Sequence, residues 1–168
     1  MHAARTRSWG TRLYNWWVFI HVVGVIGFVL AHGVSSGVAL KIRGERSPER
    51  LRALLDLSAS TTVAFYVATF LLLLGGVAAG FDGHWWTQQA WISVALGVFL
   101  GEMVFMRAVT TPYYRQLRRV MAIEQGGGTA VGPAEIEELV ASNRPMVTVW
   151  VGSIGLLFIV YLMVIQPF

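Results

Sequence analysis

The sequence predicts an all-α integral membrane four-helix bundle with short cytoplasmic interfacial helices, built as one transmembrane domain over residues 1–168. Three observations predict it. Hydrophobic residues make up 55% of the chain and charged residues 13%, where an average soluble domain carries about 25% charged. Mean hydropathy is +0.59. Four apolar runs, at about 16–40, 61–80, 89–109 and 145–165, reach the roughly 20 residues that a helix needs to cross a hydrocarbon core.

The first run follows Arg5, Arg7 and Arg12, as a signal peptide would. It exceeds the roughly 7–15-residue apolar core of such a peptide and reads as a retained span. Ser47-Pro48-Glu49 supplies an N-cap, an N1 proline and a first-turn acid, which open an interfacial helix leading into span two. Thr110-Thr111-Pro112 predicts a break below span three, followed by a basic helical stretch from Tyr113 to Glu124. Gly126-Gly127-Gly128 reads as a flexible linker. Pro133-Ala134-Glu135 opens a short acidic helix ending near Asn143, and Pro145 starts span four.

Orientation follows from the basic residues. Lys41, Arg43, Arg46, Arg50, Arg52, Arg107, Arg115, Arg118, Arg119 and Arg144 all fall after spans one and three, and only three arginines fall on the other side. The positive-inside rule then puts both termini outside a bacterial cytoplasmic (inner) membrane crossed by a multi-pass chain. Trp9, Tyr14, Trp16, Trp17, Trp85, Trp86 and Trp91 would form an outer aromatic belt. The net charge of +4 is accounted for by these flanking arginines, and no basic face is broad enough for nucleic acid. There are no cysteines, which excludes disulfides, thiolate metal sites, iron–sulfur ligation and cysteine nucleophiles. No nucleophile–base constellation or phosphate loop is present, so an ordinary hydrolase is not expected.

Gly33/Gly37, Gly76/Gly80 and Gly97/Gly101 each have the GxxxG spacing that lets helix backbones approach closely in lipid. Packing within the chain's own bundle is the favoured reading; the other is contact with a second copy or a larger membrane complex.

Chemistry concentrates in span one. His21 and His32 are eleven residues apart, which returns them to within about 20° of one face, about 16 Å apart along the axis. Phe28 lies between them on that face. Ionisable groups inside a membrane face the bundle interior or a water-filled path. These histidines suit axial ligation of haem, a metal or proton-handling site, or plain hydrogen bonds between helices. Glu102 in span three falls near the depth of His32 by helical rise. His32 is its expected partner, with Arg107 the rival. In the outer loop, Asp82 and His84 with His21 are a candidate copper or zinc site, since imidazole and carboxylate suit those metals. Met163 in span four, at the outer level, is a candidate second axial ligand to haem iron; apolar filling is the plainer role of a methionine.

The segment His21-Val-Val-Gly-Val-Ile-Gly-Phe28 resembles the first helix of a bacterial superfamily. That superfamily includes the membrane domain of copper-resistance protein D and the HemJ-type protoporphyrinogen oxidases. Leu40-Lys-Ile-Arg-Gly-Glu-Arg-Ser-Pro-Glu-Arg-Leu-Arg and the Thr-Pro-Tyr-Tyr segment after span three resemble an uncharacterised bacterial four-helix branch of it. The resemblance implies haem association at His21. Phe28 stands where tryptophan is usual in the HemJ group, and span three holds no lysine. Outside the spans, the histidines on the outer face are His2 and His84, few for a copper importer. The expected function is binding of haem b, or of a metal such as copper or zinc, for electron transfer or porphyrin handling. The alternative is a non-catalytic accessory subunit of a larger membrane assembly.

Overall fold

The computed structural model describes residues 3–87, 89–125 and 133–167; the Gly126–Gly128 linker lies outside them. Every regular element among the described residues is helical. In chain order these are α1 (Ala3–Ile42), α2 (Pro48–Ser60), α3 (Thr62–Asp82), a short 3-10 turn at Trp85–Thr87, α4 (Ala90–Gln125), α5 (Pro133–Ala141) and α6 (Arg144–Ile165). Helices α1, α3, α4 and α6 contain the four predicted apolar runs and are long and apolar enough to cross a membrane.

The predicted helix signals hold at α2, α5 and α6. Ser47 caps α2 by accepting a hydrogen bond at Oγ from the Arg50 amide at 3.5 Å, with Pro48 in the first turn. The expected break at Thr110-Thr111-Pro112 does not occur, since α4 runs through Pro112 to Gln125. An internal proline removes one backbone hydrogen bond and crowds the preceding turn, at a cost of about 3 kcal/mol. Tertiary burial offsets it. Pro112 itself is exposed, while Tyr113, Leu117, Val120 and Met121 are all buried. Together with Val38 and Ile42 of α1, Leu51 and Leu55 of α2 and Val140 of α5 they form one apolar cluster. Burying such side chains is worth about 1.5–3 kcal/mol each, enough to hold the helix through the proline.

The four long helices pack as two pairs, α1 chiefly with α3 and α4 chiefly with α6, with sparser contact between the pairs. The start of α1 lies beside the end of α3, and Tyr14, Trp85, Trp91 and Gln166 border one cavity. The N-terminal part of α1 and the C-terminal end of α6 therefore share one end of the bundle, called upper here. Helices α2 and α5 and the extension of α4 cap the lower end.

Glycine sets how close α1 and α3 come. A Cβ at Gly24 would overlap the backbone of Leu72, and one at Gly75 would stand 2.5 Å from the His21 amide nitrogen. At Gly27 the neighbour is the Ala68 methyl, at 3.0 Å. Among the predicted pairs, Gly76 faces the His21 ring and Gly80 the Trp86 indole. Among the described residues Gly33, Gly37, Gly97 and Gly101 meet nothing within 4 Å, so packing between these residues explains one predicted pair and not the other two.

Candidate functional site

Because the two helix pairs touch only sparsely, cavities open between them. An aromatic cluster on the inner faces lies between an upper and a lower cavity. Phe28 of α1 is buried, with its ring centroid 5.1 Å from Phe65 of α3 and 5.5 Å from Phe99 of α4. Phe28 and Phe99 border the upper cavity; Phe65 borders the lower one.

The upper cavity has a volume of about 380 Å³, at the small end of the roughly 300–1,000 Å³ range of ligand pockets. Its wall is almost wholly apolar and aromatic, with Val25, Phe28, Leu73, Trp91, Phe99, Leu156 and Ile159 among its residues. His21 enters it from α1 and Met163 from α6. His21 Nδ1 lies 2.8 Å from the Leu72 carbonyl oxygen. A carbonyl oxygen only accepts, so Nδ1 carries the proton and donates. The Nδ1–Cε1 edge is seated on Gly76, whose added Cβ would stand 2.8 Å from Nδ1 and 3.0 Å from Cε1. The ring borders the cavity, and its other nitrogen is Nε2. In the neutral ring that nitrogen is a lone-pair donor, held in orientation by the bond at Nδ1.

The lower cavity is larger, about 1040 Å³, and open. Its wall combines hydroxyls from Ser35, Ser36, Ser58, Thr62, Thr110, Thr111 and Thr148 with Arg107, Arg115 and Arg118. Thr110 Oγ1 donates to Thr148 Oγ1 at 3.1 Å, and Thr148 Oγ1 donates to the Arg144 carbonyl at 3.0 Å, tying α4 to α6. Arg118 donates to the Leu55 carbonyl of α2.

His32 borders this lower cavity, one aromatic layer away from His21. Its ring stacks on Phe28 with centroids 5.8 Å apart and planes 3° from parallel. Its Nε2 is buried and has no hydrogen-bond partner. The ring rests on α6, where a Cβ at Gly152 would stand 3.3 Å from Nε2 and 2.6 Å from Met106 Cε. Glu102 borders neither cavity. Its carboxylate lies on Gly155, where a Cβ would overlap it. Glu102 and His32 thus face two glycines of α6 one helical turn apart, close in depth as expected, and no hydrogen bond joins them. The Gly152/Gly155 pair that receives them is spaced three apart, so a search for GxxxG passes over it; the same holds for Gly24/Gly27.

The loop residues behave differently. Asp82 and His84 are exposed, His84 has a left-handed φ of 58°, and its Nδ1 donates to the Asp82 carbonyl at 3.1 Å. Among the described residues no three His, Cys, Asp or Glu side chains gather as a metal ion would require. The expected convergence of His21, His84 and Asp82 is therefore not assembled, and of the candidate residues only His21, Phe28 and Met163 share a cavity.

Compared with protein-family models, with curated proteins and with solved structures, the chain matches none. The fold and the cavities define it as an all-helical protein with four potential membrane-crossing helices and two chemically opposite chambers.

Proposed function

We propose that the protein is a multi-pass protein of a bacterial cytoplasmic membrane that holds haem b, or a related metalloporphyrin, in its upper cavity for electron transfer or porphyrin handling. One observation carries this reading: His21 is fixed through Nδ1, and its ring borders an apolar, aromatic cavity. A flat apolar macrocycle with one imidazole ligand fits that donor set. Nε2 of His21 would be the nitrogen ligand, Phe28, Trp91 and Phe99 would supply contact area, and the Met163 thioether borders the same space. Tyr14, Trp85, Trp86 and Gln166 at the cavity's upper rim supply polar groups near where propionates would emerge. Bound haem supplies a one-electron couple; the chain's part is to hold the imidazole tautomer and to exclude water with an apolar wall.

The test is a visible absorption spectrum of the detergent-purified protein. A Soret band with split α/β bands on reduction is expected, and a colourless protein loaded with neither haem nor metal would overturn the reading. In orientation, the lower end is cytoplasmic and the termini are external, by the weight of basic residues below. A reporter fused near Arg115 should score cytoplasmic, and one after Phe168 external; the reverse pattern would mean that Arg5, Arg7 and Arg12 dominate.

A second reading has its own observation. Gly33/Gly37 and Gly97/Gly101 are exposed, and among the described residues none of the four meets anything within 4 Å. Such flat grooves suit close approach of another helix in lipid, as in an accessory subunit seated on a larger assembly or in a homo-oligomer.

A further inference from the structure

The lower cavity has features that the haem reading leaves unused. Arg107, Arg115 and Arg118 all border it, and among the described residues no aspartate or glutamate does. Among the described residues none of the three arginines makes an ion pair; Arg118 alone has a partner, the Leu55 carbonyl. All three arginines are exposed, and guanidinium groups are well matched to phosphate oxygens. Hydroxyls of Ser35, Ser36 and Thr111 supply further donors on the facing walls.

Depth identifies the head group's surroundings. By helical rise Arg107 lies about 25 Å from the start of α4 and Arg115 about 37 Å, which brackets the roughly 30 Å at which hydrocarbon gives way to head groups. On the hydrocarbon side of Arg107 the same cavity is walled by Phe65, Leu100 and Val104, and Leu100 and Val104 are exposed. Cationic donors at the head-group level continue into an apolar wall above them. That order of surfaces matches an amphiphile with an anionic head.

We propose that the lower cavity binds a phosphate-headed amphiphile, its phosphate held by Arg107 and Arg115 and its hydrocarbon chain laid along Phe65, Leu100 and Val104. The inference rests on the chain spanning a membrane with this end at the head-group level, and is independent of haem. Basic pockets between spanning helices on the cytoplasmic side are the usual place for anionic lipid heads. Arg118 is a positioning residue, since its guanidinium is anchored on α2 and fixes the cavity's lower wall.

The experiment uses the full chain in detergent, with native mass spectrometry counting bound lipid. The probes are dioleoyl phosphatidylglycerol, dioleoyl phosphatidylcholine and inorganic phosphate. Phosphatidylglycerol should bind with defined stoichiometry and at least about tenfold more tightly than phosphatidylcholine. Arg107→Gln with Arg115→Gln should weaken it by about tenfold or more, as expected for losing charge-assisted hydrogen bonds. Arg119→Gln, an exposed position that does not border the cavity, should leave it unchanged. Millimolar inorganic phosphate that fails to displace the lipid assigns the site to an amphiphile. Displacement by phosphate alone, at concentrations far below those of general ionic screening, would assign it to a free phosphate and overturn the hydrocarbon half of the proposal. Equal binding of the two lipids by the wild-type protein, a comparison needing no variant, would overturn all of it. So would equal loss of lipid in the Arg119→Gln control. A visible spectrum of the same samples separates this outcome from failure of the haem reading.

Discussion

The upper and lower halves of this bundle are built from the same four helices, yet they enclose opposite chemistries. The upper cavity is small and apolar, and the imidazole that borders it, His21, has Nδ1 satisfied by a backbone carbonyl. The lower cavity is nearly three times the volume, rich in hydroxyls and arginines, and its imidazole is pressed against a glycine with Nε2 buried and unbonded. Two histidines on one helical face therefore have different capacities. Position along the helix decides what each can reach, and the Phe28–Phe65–Phe99 layer separates the two environments. A shared stripe indicates a shared direction and nothing about a shared site.

The largest effect expected from breaking this arrangement is at Gly24. Leucine there would drive its Cβ into the backbone of Leu72, and backbone cannot yield as a side-chain tip can. The cost should exceed the roughly 1–3 kcal/mol of ordinary overpacking. Gly24→Leu should abolish a monodisperse peak in detergent chromatography, while Gly33→Leu, with nothing within 4 Å, should leave the monomer's melting temperature within a degree or two. A fall for both would mean that the exposed groove is also covered in the folded protein.

Next in size is the division of labour between the histidines. His21→Ala should remove most or all of any bound pigment, because among the described residues no other imidazole borders the upper cavity. His32→Ala should keep the pigment. Loss in the second variant with retention in the first would move the ligand to the lower half. Retention in both would end histidine ligation from α1.

How much of this was legible beforehand varies with the kind of information involved. Four long apolar helices could be read because apolar length is a property of consecutive residues. Ser47 as a cap and Pro145 near the start of α6 were legible for the same local reason. Pro112 was misread because its local signal is real and the opposing burial of Tyr113 and Leu117 is tertiary. The cavities depend on α1 pairing with α3 and α4 with α6, which no single-helix pattern contains. Arg107 and Arg115 were read only as topology signals, since nothing in one sequence tells an arginine that faces lipid heads from one that borders a chamber. His21 was found, but not the Leu72 carbonyl fifty-one residues away that orients it.

A smaller effect is expected at Glu102. Its carboxylate lies on Gly155 without a hydrogen bond. Glu102→Gln keeps the shape and should change stability by less than about 1 kcal/mol, within the range of substitutions that preserve packing. Glu102→Ala vacates the space over Gly155 and should cost about 1–2 kcal/mol through lost contact. Thermal melts in detergent give the order; glutamine more disruptive than alanine would reveal an ionic contact at the carboxylate.

The smallest expected change is at His32, where the sign decides. A buried ring nitrogen without a partner forfeits the water it would bind in the unfolded chain, a penalty of about 1–3 kcal/mol for an unsatisfied polar atom. Nε2 of His32 is in that position. Leucine is close in volume, has no polar atom to strand, and suits a helix better than histidine. Against this stand the loss of the parallel stack on Phe28, with centroids 5.8 Å apart, and imperfect filling of the flat space beside Gly152 and Met106. Stacked rings are worth about 0.5–1.5 kcal/mol beyond area, so the two sides nearly balance, with the stranded nitrogen the larger. His32→Leu should therefore be neutral or stabilising by up to about 1 kcal/mol, read as an unchanged or slightly raised melting temperature, with any pigment in the upper cavity kept. A clear drop would show that Nε2 has a partner in the folded protein, Glu102 of α4 being close in depth. Glu102→Gln measured in the His32→Leu background would then identify it, because a true pair loses its coupling once either member is gone.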